Sequence, residues 1–214
     1  MTTTEQLIAR YPILFHMAEE GTWPSIQRHG LLSTSALLDL FEVTGNRRQS
    51  IEHEWRPQSV RIEHREHGTA VIRDQSPMDP RSLGLLLDGL EPTDWYRLIN
   101  RKTFFWATRD RLNRFLNARP YRGSAHDVIT VDARSLVDQY EDDITLASFN
   151  TGVSTFGPQY RRGIGTFRKI QDYREDAGGV VELAVDYSVD NLAELAISVE
   201  QWRGRQRLNR VWHH

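Results

Sequence analysis

The sequence predicts an α+β domain with a mainly antiparallel, split or two-sheet core and helices packed outside it. Three observations predict this. Short apolar runs of strand type recur at 13–15, 103–107, 128–132, 144–149, 180–185 and 195–199, each bounded by turn-forming or charged residues. Segments with apolar residues at helical spacing fall early in the chain and between the central runs, while the second half is strand-rich. With 214 residues and 39% hydrophobic content, the chain can bury one sizeable core.

In chain order, Ile13, Leu14 and Phe15 form an apolar run ending at His16, where a side chain can face a cleft. A short helix follows, with Thr22 as its expected N-cap, Pro24 in its first turn and Gly30 just past its C-terminus. Trp23, Ile26 and Leu31 supply the buried side of this unit. Residues 33–41 form a helix with Leu37, Leu38, Leu40 and Phe41 on a broad apolar face. Residues 44–80 are charge-rich, and Val60-Arg61-Ile62 and Ala70-Val71-Ile72 flank Glu66-His67-Gly68-Thr69 as a hairpin. This segment reads as an exposed insertion or flap in a single domain spanning 1–214. Helices are expected at 83–87 and 93–99, a buried strand at 103–107, and a helix at 109–116 with Leu112, Phe115 and Leu116 on one face. The strand at 128–132 feeds a helix at 134–140, and a strand follows at 144–149. Residues 150–165 form a long loop carrying Arg161-Arg162, and loops of that length are more often functional than connective. Strands are expected at 166–170, 180–185 and 195–199, followed by a basic, solvent-exposed segment at 203–207.

The chain has no cysteine, which excludes disulfides, thiolate zinc sites and a cysteine nucleophile. A net charge of -2 does not mark a polyanion-binding protein, although local basic patches remain. The N-terminus lacks the basic and apolar regions of a secretory signal, and nothing approaches the apolar length of a membrane span. A cytoplasmic protein with no membrane partner is expected.

Four constellations compete for the chemistry. His53, Glu63, His64, Glu66 and His67 suggest a metal, but a strand puts His64 and His67 on opposite faces, so charged surface is expected and no metal. Arg161, Arg162, Arg168, Lys169 and the 203–210 segment, interleaved with Tyr160, Phe167 and Tyr173, suit phosphate contact and base stacking. A solvated face accounts for them equally well. A serine hydrolase is disfavoured because no Gly-x-Ser-x-Gly elbow occurs; Ser154 and Thr155 are weak substitutes, and Gly163-Ile164-Gly165 is too short to cradle phosphates. The fourth constellation joins His16, the aromatic run Phe104-Phe105-Trp106 with Arg109 beyond it, and Glu182, the only acid in 180–185. On pattern alone Glu182 is as readily a solvent-facing alternate residue. Facing a cleft shared with His16, it suits N-glycosidic cleavage, whose oxocarbenium-like centre a fixed carboxylate stabilises.

In order and spacing these segments resemble the DarT-like branch of the ADP-ribosyltransferase fold. That branch opens with a strand-end histidine, a helix entered near an Asn-Leu pair, an isoleucine and a Gly-Leu. Here His16, Ser25-Ile26 and Gly30-Leu31 stand at matching spacing, with Trp23 in the leucine's place. Phe104 to Leu112 resembles the branch's aromatic strand followed by an arginine and a helix start, and Glu182 to Val199 resembles its late Glu-x-Leu-Val region. The chain departs from the branch at His16-Met17-Ala18 and Thr22-Trp23. It is also similar to a related family of uncharacterised bacterial domains.

The resemblance implies an ADP-ribosyltransferase-like split core, with NAD as co-substrate and the nicotinamide N-glycosidic bond as the bond cleaved. It implies transfer to an acceptor that the matched residues leave open, nucleic acid being that of the branch, and a toxin-like role with an antitoxin partner. His16 would hold the nicotinamide ribose, Phe105 or Trp106 would wall the nicotinamide, and Arg109 would meet the pyrophosphate. Trp23 falls with this cofactor-binding group and Arg161 and Arg162 with the acceptor, while Glu182 would stabilise the developing cation or activate the acceptor. The alternatives are a non-catalytic nucleotide- or nucleic-acid-binding module on the same fold, using the 150–168 loop, and RNA 2′-phosphate transfer to NAD on a related fold.

Overall fold

The computed structural model describes residues 2–154, 158–174 and 179–213. Its first helix, α1 (Thr4–Arg10), is absent from the sequence-based expectation and is set by a capping box between Thr3 and Gln6. Strand β1 (Ile13–Glu19) runs three residues beyond His16, so the histidine lies at mid-strand rather than at its end. Helix α2 (Trp23–His29) ends at Gly30, whose φ of 78° favours glycine. After the two-residue β2 (Leu31–Leu32), Ser33 caps α3 (Thr34–Leu40) through Ala36 N–H at 3.2 Å.

The 44–80 segment holds helix α4 (Gly45–His53) and the expected hairpin, β3 (Val60–His64) with β4 (Gly68–Ile72). It is not an exposed flap. Ile51, Ile62, Ala70 and Ile72 pack with Leu38 and Phe41 in a small core of their own. The buried Arg56 ties the segment down by donating to Arg73 O at 2.7 Å and Asn100 Oδ1 at 3.3 Å. Helices α5 (Pro80–Gly84) and α6 (Pro92–Asn100) lead to strand β5 (Lys102–Trp106) and helix α7 (Arg109–Leu116), the last capped by Thr108.

Strand β6 (Ala125–Asp132), helix α8 (Ala133–Tyr140) and strand β7 (Ile144–Ala147) follow as expected. Thr22 stands at the N-cap position of α2 as expected, but its hydroxyl bonds back to Glu19 O and does not cap, and the Asp127 carboxylate on β6 accepts from Gly21 N–H at 3.0 Å and Trp23 N–H at 3.4 Å. Residues 166–170 are not a strand. Only the Leu146–Arg168 bridge reaches β7, between two single 3-10 turns at Ile164–Thr166 and Ile170–Asp172. The chain then continues through β8 (Glu182–Asp186), β9 (Ser188–Val189), α9 (Leu192–Leu195) and β10 (Ala196–Arg203). The last described element is β11 (Gln206–His213), which pairs with β10, so the basic 203–207 stretch is the tip of a hairpin, with Gly204-Arg205 as its turn and Arg203 paired with Gln206. Charge hid this strand from the sequence reading, because an exposed edge strand carries charges on both faces.

Seven strands form one antiparallel sheet in the order β11-β10-β6-β1-β5-β8-β7. The main core, containing Leu14, Phe105, Ile129, Leu136, Leu183 and Leu192, joins this sheet to α1, α8 and α9. Phe15, Met17 and Val128 pack against Leu112 and Leu116 of α7. The α+β class is therefore as expected. No described helix is long and apolar enough to cross a membrane.

Candidate functional site in the split sheet

The site originates in a break of the sheet. Strands β1 and β6 pair over seven positions, from Ile13–Asp132 to Glu19–His126, whereas β1 and β5 share only Phe15–Trp106. Beyond that pair the two strands part, and a cleft of about 390 Å³ opens between them. Its lining includes His16–Glu19 of β1, all of β5, the insertion around Thr69–Gln75, and Asn150–Gly152 beside Glu182. This volume is within the range of small-molecule sites, about 300–1,000 Å³.

Parted strands leave backbone groups that need partners. His16 meets one, its Nδ1 lying 2.8 Å from Phe104 O across the split. Arg73 meets another, donating from Nη1 to Met17 O at 3.2 Å. A carbonyl only accepts, so the His16 proton sits on Nδ1 and Nε2 of the neutral ring is an acceptor. Burial holds the ring's pKa down to about 4 against the support of the Phe104 carbonyl, and nearby Arg73 lowers it further. At neutral pH His16 is therefore an uncharged acceptor, 5.9 Å from the Phe105 ring centre.

Glu182 lies directly opposite Trp106 on the β5–β8 ladder and is only 5% exposed, so it is not a solvent-facing alternate residue. Thr151 donates to Glu182 Oε2 twice, from its backbone N–H at 3.0 Å and its hydroxyl at 2.7 Å. Burial pushes the carboxyl's pKa up to about 7, opposed by the two Thr151 bonds and by the charges of Arg162 and Arg111. Strand alternation assigns Glu182 and Trp106 to one face and His16 to the other, and the split gives both faces access to one cleft.

Four of the predicted residues therefore line the cleft: His16, Phe105, Trp106 and Glu182. Trp23 does not. It is 2% exposed and lies against Trp212 at 5.3 Å, sealing α2 onto the core. Arg109 is also outside, stacked over Trp202 at 4.3 Å and Phe15 at 5.5 Å, which corrects its expected place beside a pyrophosphate. Arg162 is fully buried and clamps the long loop, donating to Tyr160 O, Asn150 O and Val153 O. Arg161 donates to Leu87 O at 3.2 Å. Both arginines line a separate recess.

The sequence reading missed Arg73 and Thr151. Arg73 reaches a strand 56 positions away, and no local pattern signals that contact. Thr151 lay within the loop already marked by its length. Ser154 donates its hydroxyl to Pro77 O at 2.9 Å, a structural contact, and Thr155 lies outside the described residues. His64 and His67 do not point apart. At the hairpin turn their rings stack 4.6 Å apart, with His29 5.0 Å from His67. Among the described residues no group of three or more such side chains is arranged to hold a metal.

Fold and site together define an α+β protein whose split antiparallel sheet encloses a histidine, aromatic and glutamate cleft. Residues 12–198 match the family of unknown function DUF7002, and the chain belongs to that family. The match runs from just before β1 into β10, taking in the whole cleft and excluding β11. No curated protein matches the sequence.

Proposed function

We propose that the protein is an NAD-dependent ADP-ribosyltransferase-like enzyme that cleaves the nicotinamide N-glycosidic bond and passes ADP-ribose to an acceptor. One observation carries this reading: His16 and Glu182, 166 positions apart in sequence, line one cleft together with Phe105 and Trp106. His16 Nε2 accepts a hydroxyl of the nicotinamide ribose, a task suited to a neutral ring whose other nitrogen is already committed. Trp106, half-buried at the split, walls the nicotinamide. Arg73, in the lining, takes the pyrophosphate role in place of Arg109.

The glycosidic electron pair leaves on the nicotinamide nitrogen and cancels its pyridinium charge, so positive charge develops at C1′ of the ribose. Glu182 stabilises that charge from a site largely shielded from water, where a fixed carboxylate acts strongly. The acceptor nucleophile then bonds to C1′ and loses a proton, and a carboxylate with a pKa about 7 is suited to take it. The resemblance supports a nucleic-acid acceptor and an antitoxin partner for this chemistry, for which we propose a cytoplasmic setting.

The test is labelled NAD with the wild type and Glu182→Gln. The variant is expected to bind NAD and to lose nicotinamide release by a factor on the order of 10²–10³. Unchanged release would sink the assignment. Binding without release by the wild type under every acceptor would favour the non-catalytic module.

A further inference from the structure

A second recess, of about 290 Å³, lies where Ser148 and Phe149 meet the end of the long loop. Arg161, Arg162, Arg168 and Arg174 line it, opposed among the described residues by one carboxylate, Asp88. Asp88 lies 3.8 Å from Arg161, and Arg168 donates from Nε to Gly165 O at 3.2 Å. Arg162 is wholly excluded from solvent, yet its Nε has no acceptor among the described residues. A ligand in the recess cannot reach that buried atom, so Arg162 adds positive charge behind the wall. The guanidinium groups of the exposed Arg161, Arg168 and Arg174 are the kind of donor that pairs readily with a phosphate or carboxylate oxygen.

Four guanidinium groups around one polar recess, in a chain of net charge -2, form a local concentration of positive charge that the overall composition conceals. Guanidinium forks match the tetrahedral oxygens of phosphate, and the recess is large enough for more than one phosphate. We propose that this recess binds a small phosphorylated ligand, of mono- or diphosphate type, at a site separate from the split-sheet cleft. The site does not depend on the chemistry assigned to the cleft. The two are nevertheless joined, because Arg162 holds Asn150 O and Val153 O on either side of Thr151, which holds Glu182.

The test is calorimetric titration of the full chain with inorganic pyrophosphate, inorganic phosphate and a 5′-phosphorylated dinucleotide. The wild type is expected to bind pyrophosphate saturably at one site, and the double variant Arg168→Gln/Arg174→Gln to weaken binding at least tenfold. Both arginines are exposed, and their melting temperature checks the fold; Arg174→Gln alone serves if the double variant melts early. Tighter binding of the dinucleotide than of pyrophosphate would identify a nucleic-acid phosphate as the source, and the reverse a free phosphate, with the site upheld in both. Absence of saturable binding to all three probes, or equal affinity in wild type and variant, would overturn it. Because the readout is binding, a wild type that fails to release nicotinamide leaves this proposal standing.

Discussion

Thr151 and Glu182 are joined twice, the backbone N–H and the hydroxyl of Thr151 both donating to Oε2 of the glutamate. Both bonds favour the ionised carboxylate, while burial disfavours it, and burial wins: the group titrates at about 7 instead of 4.5. The loop thus tunes the acid that the strand presents.

Thr151→Val removes the hydroxyl bond and keeps the N–H bond. A hydrogen bond to a charged group contributes about 1.5–3 kcal/mol, equivalent to a pKa displacement of roughly one to two units. Glu182 should then titrate above its present value, and the rising limb of nicotinamide release against pH should move up by at least about one unit. A limb at the wild-type position would show that the hydroxyl bond does not act on the carboxylate.

Glu182 also makes stability depend on pH. Its folded pKa is raised, so its favourable contribution is complete below about 4.5 and is lost as pH rises through about 7. A displacement of that size is worth about 3 kcal/mol. Glu182→Gln should therefore gain stability relative to wild type between pH 5 and pH 8, measured by urea unfolding. His16 works in the opposite direction: its folded pKa is lowered, so its contribution is complete above about 6.5 and lost as pH falls through about 4. In Glu182→Gln the His16 slope is left unopposed, and stability should fall more steeply than in wild type from pH 6.5 towards pH 4.5.

Arg162→Met tests the clamp. The substitution leaves the carbonyls of Asn150, Val153 and Tyr160 without their donor and removes the charge beside Glu182. Loss of a buried, hydrogen-bonded guanidinium is expected to cost about 3 kcal/mol or more in unfolding free energy. The 150–153 backbone should also lose protection from hydrogen exchange. A change below about 1 kcal/mol would mean that the loop holds its place without the clamp.

Much of this architecture was legible in the sequence because apolar runs and caps are local signals. The strands around Leu14, Phe105, Ile129 and Leu183, and the helices at 34–40 and 109–116, follow from their neighbours. What was not legible depends on distant partners. Arg109 and Arg73 are both arginines beside strands, and only the packing of Trp202 over one and Met17 O near the other sends the first out of the cleft and the second into it. Thr22 does stand at the N-cap position of α2, but the acceptor for the Gly21 and Trp23 N–H groups is Asp127, which comes from β6 and has no local signature. Burial of Glu182 was undecidable from alternation, since the split in the sheet has no signature within β8 itself.

Gly30 and Gly21 separate two roles of glycine with the same backbone angle. Both have φ of 78°, which costs alanine about 1–3 kcal/mol, and a ψ of 178° puts Gly30 in a region that only glycine adopts readily. At Gly21 an added Cβ meets nothing within 4 Å, and that cost is the whole expected effect. At Gly30 the Cβ would lie 2.5 Å from Asp190 Cα and 2.7 Å from Val189 O, which are backbone atoms that cannot rotate away. Relief requires β9 to move off β2, breaking the Leu31–Val189 pair, and β9 follows directly after the strand that carries Glu182. Gly30→Ala should therefore destabilise well beyond Gly21→Ala in chemical unfolding. Equal losses for the two variants would show that the close approach of Gly30 to β9 does not constrain the fold.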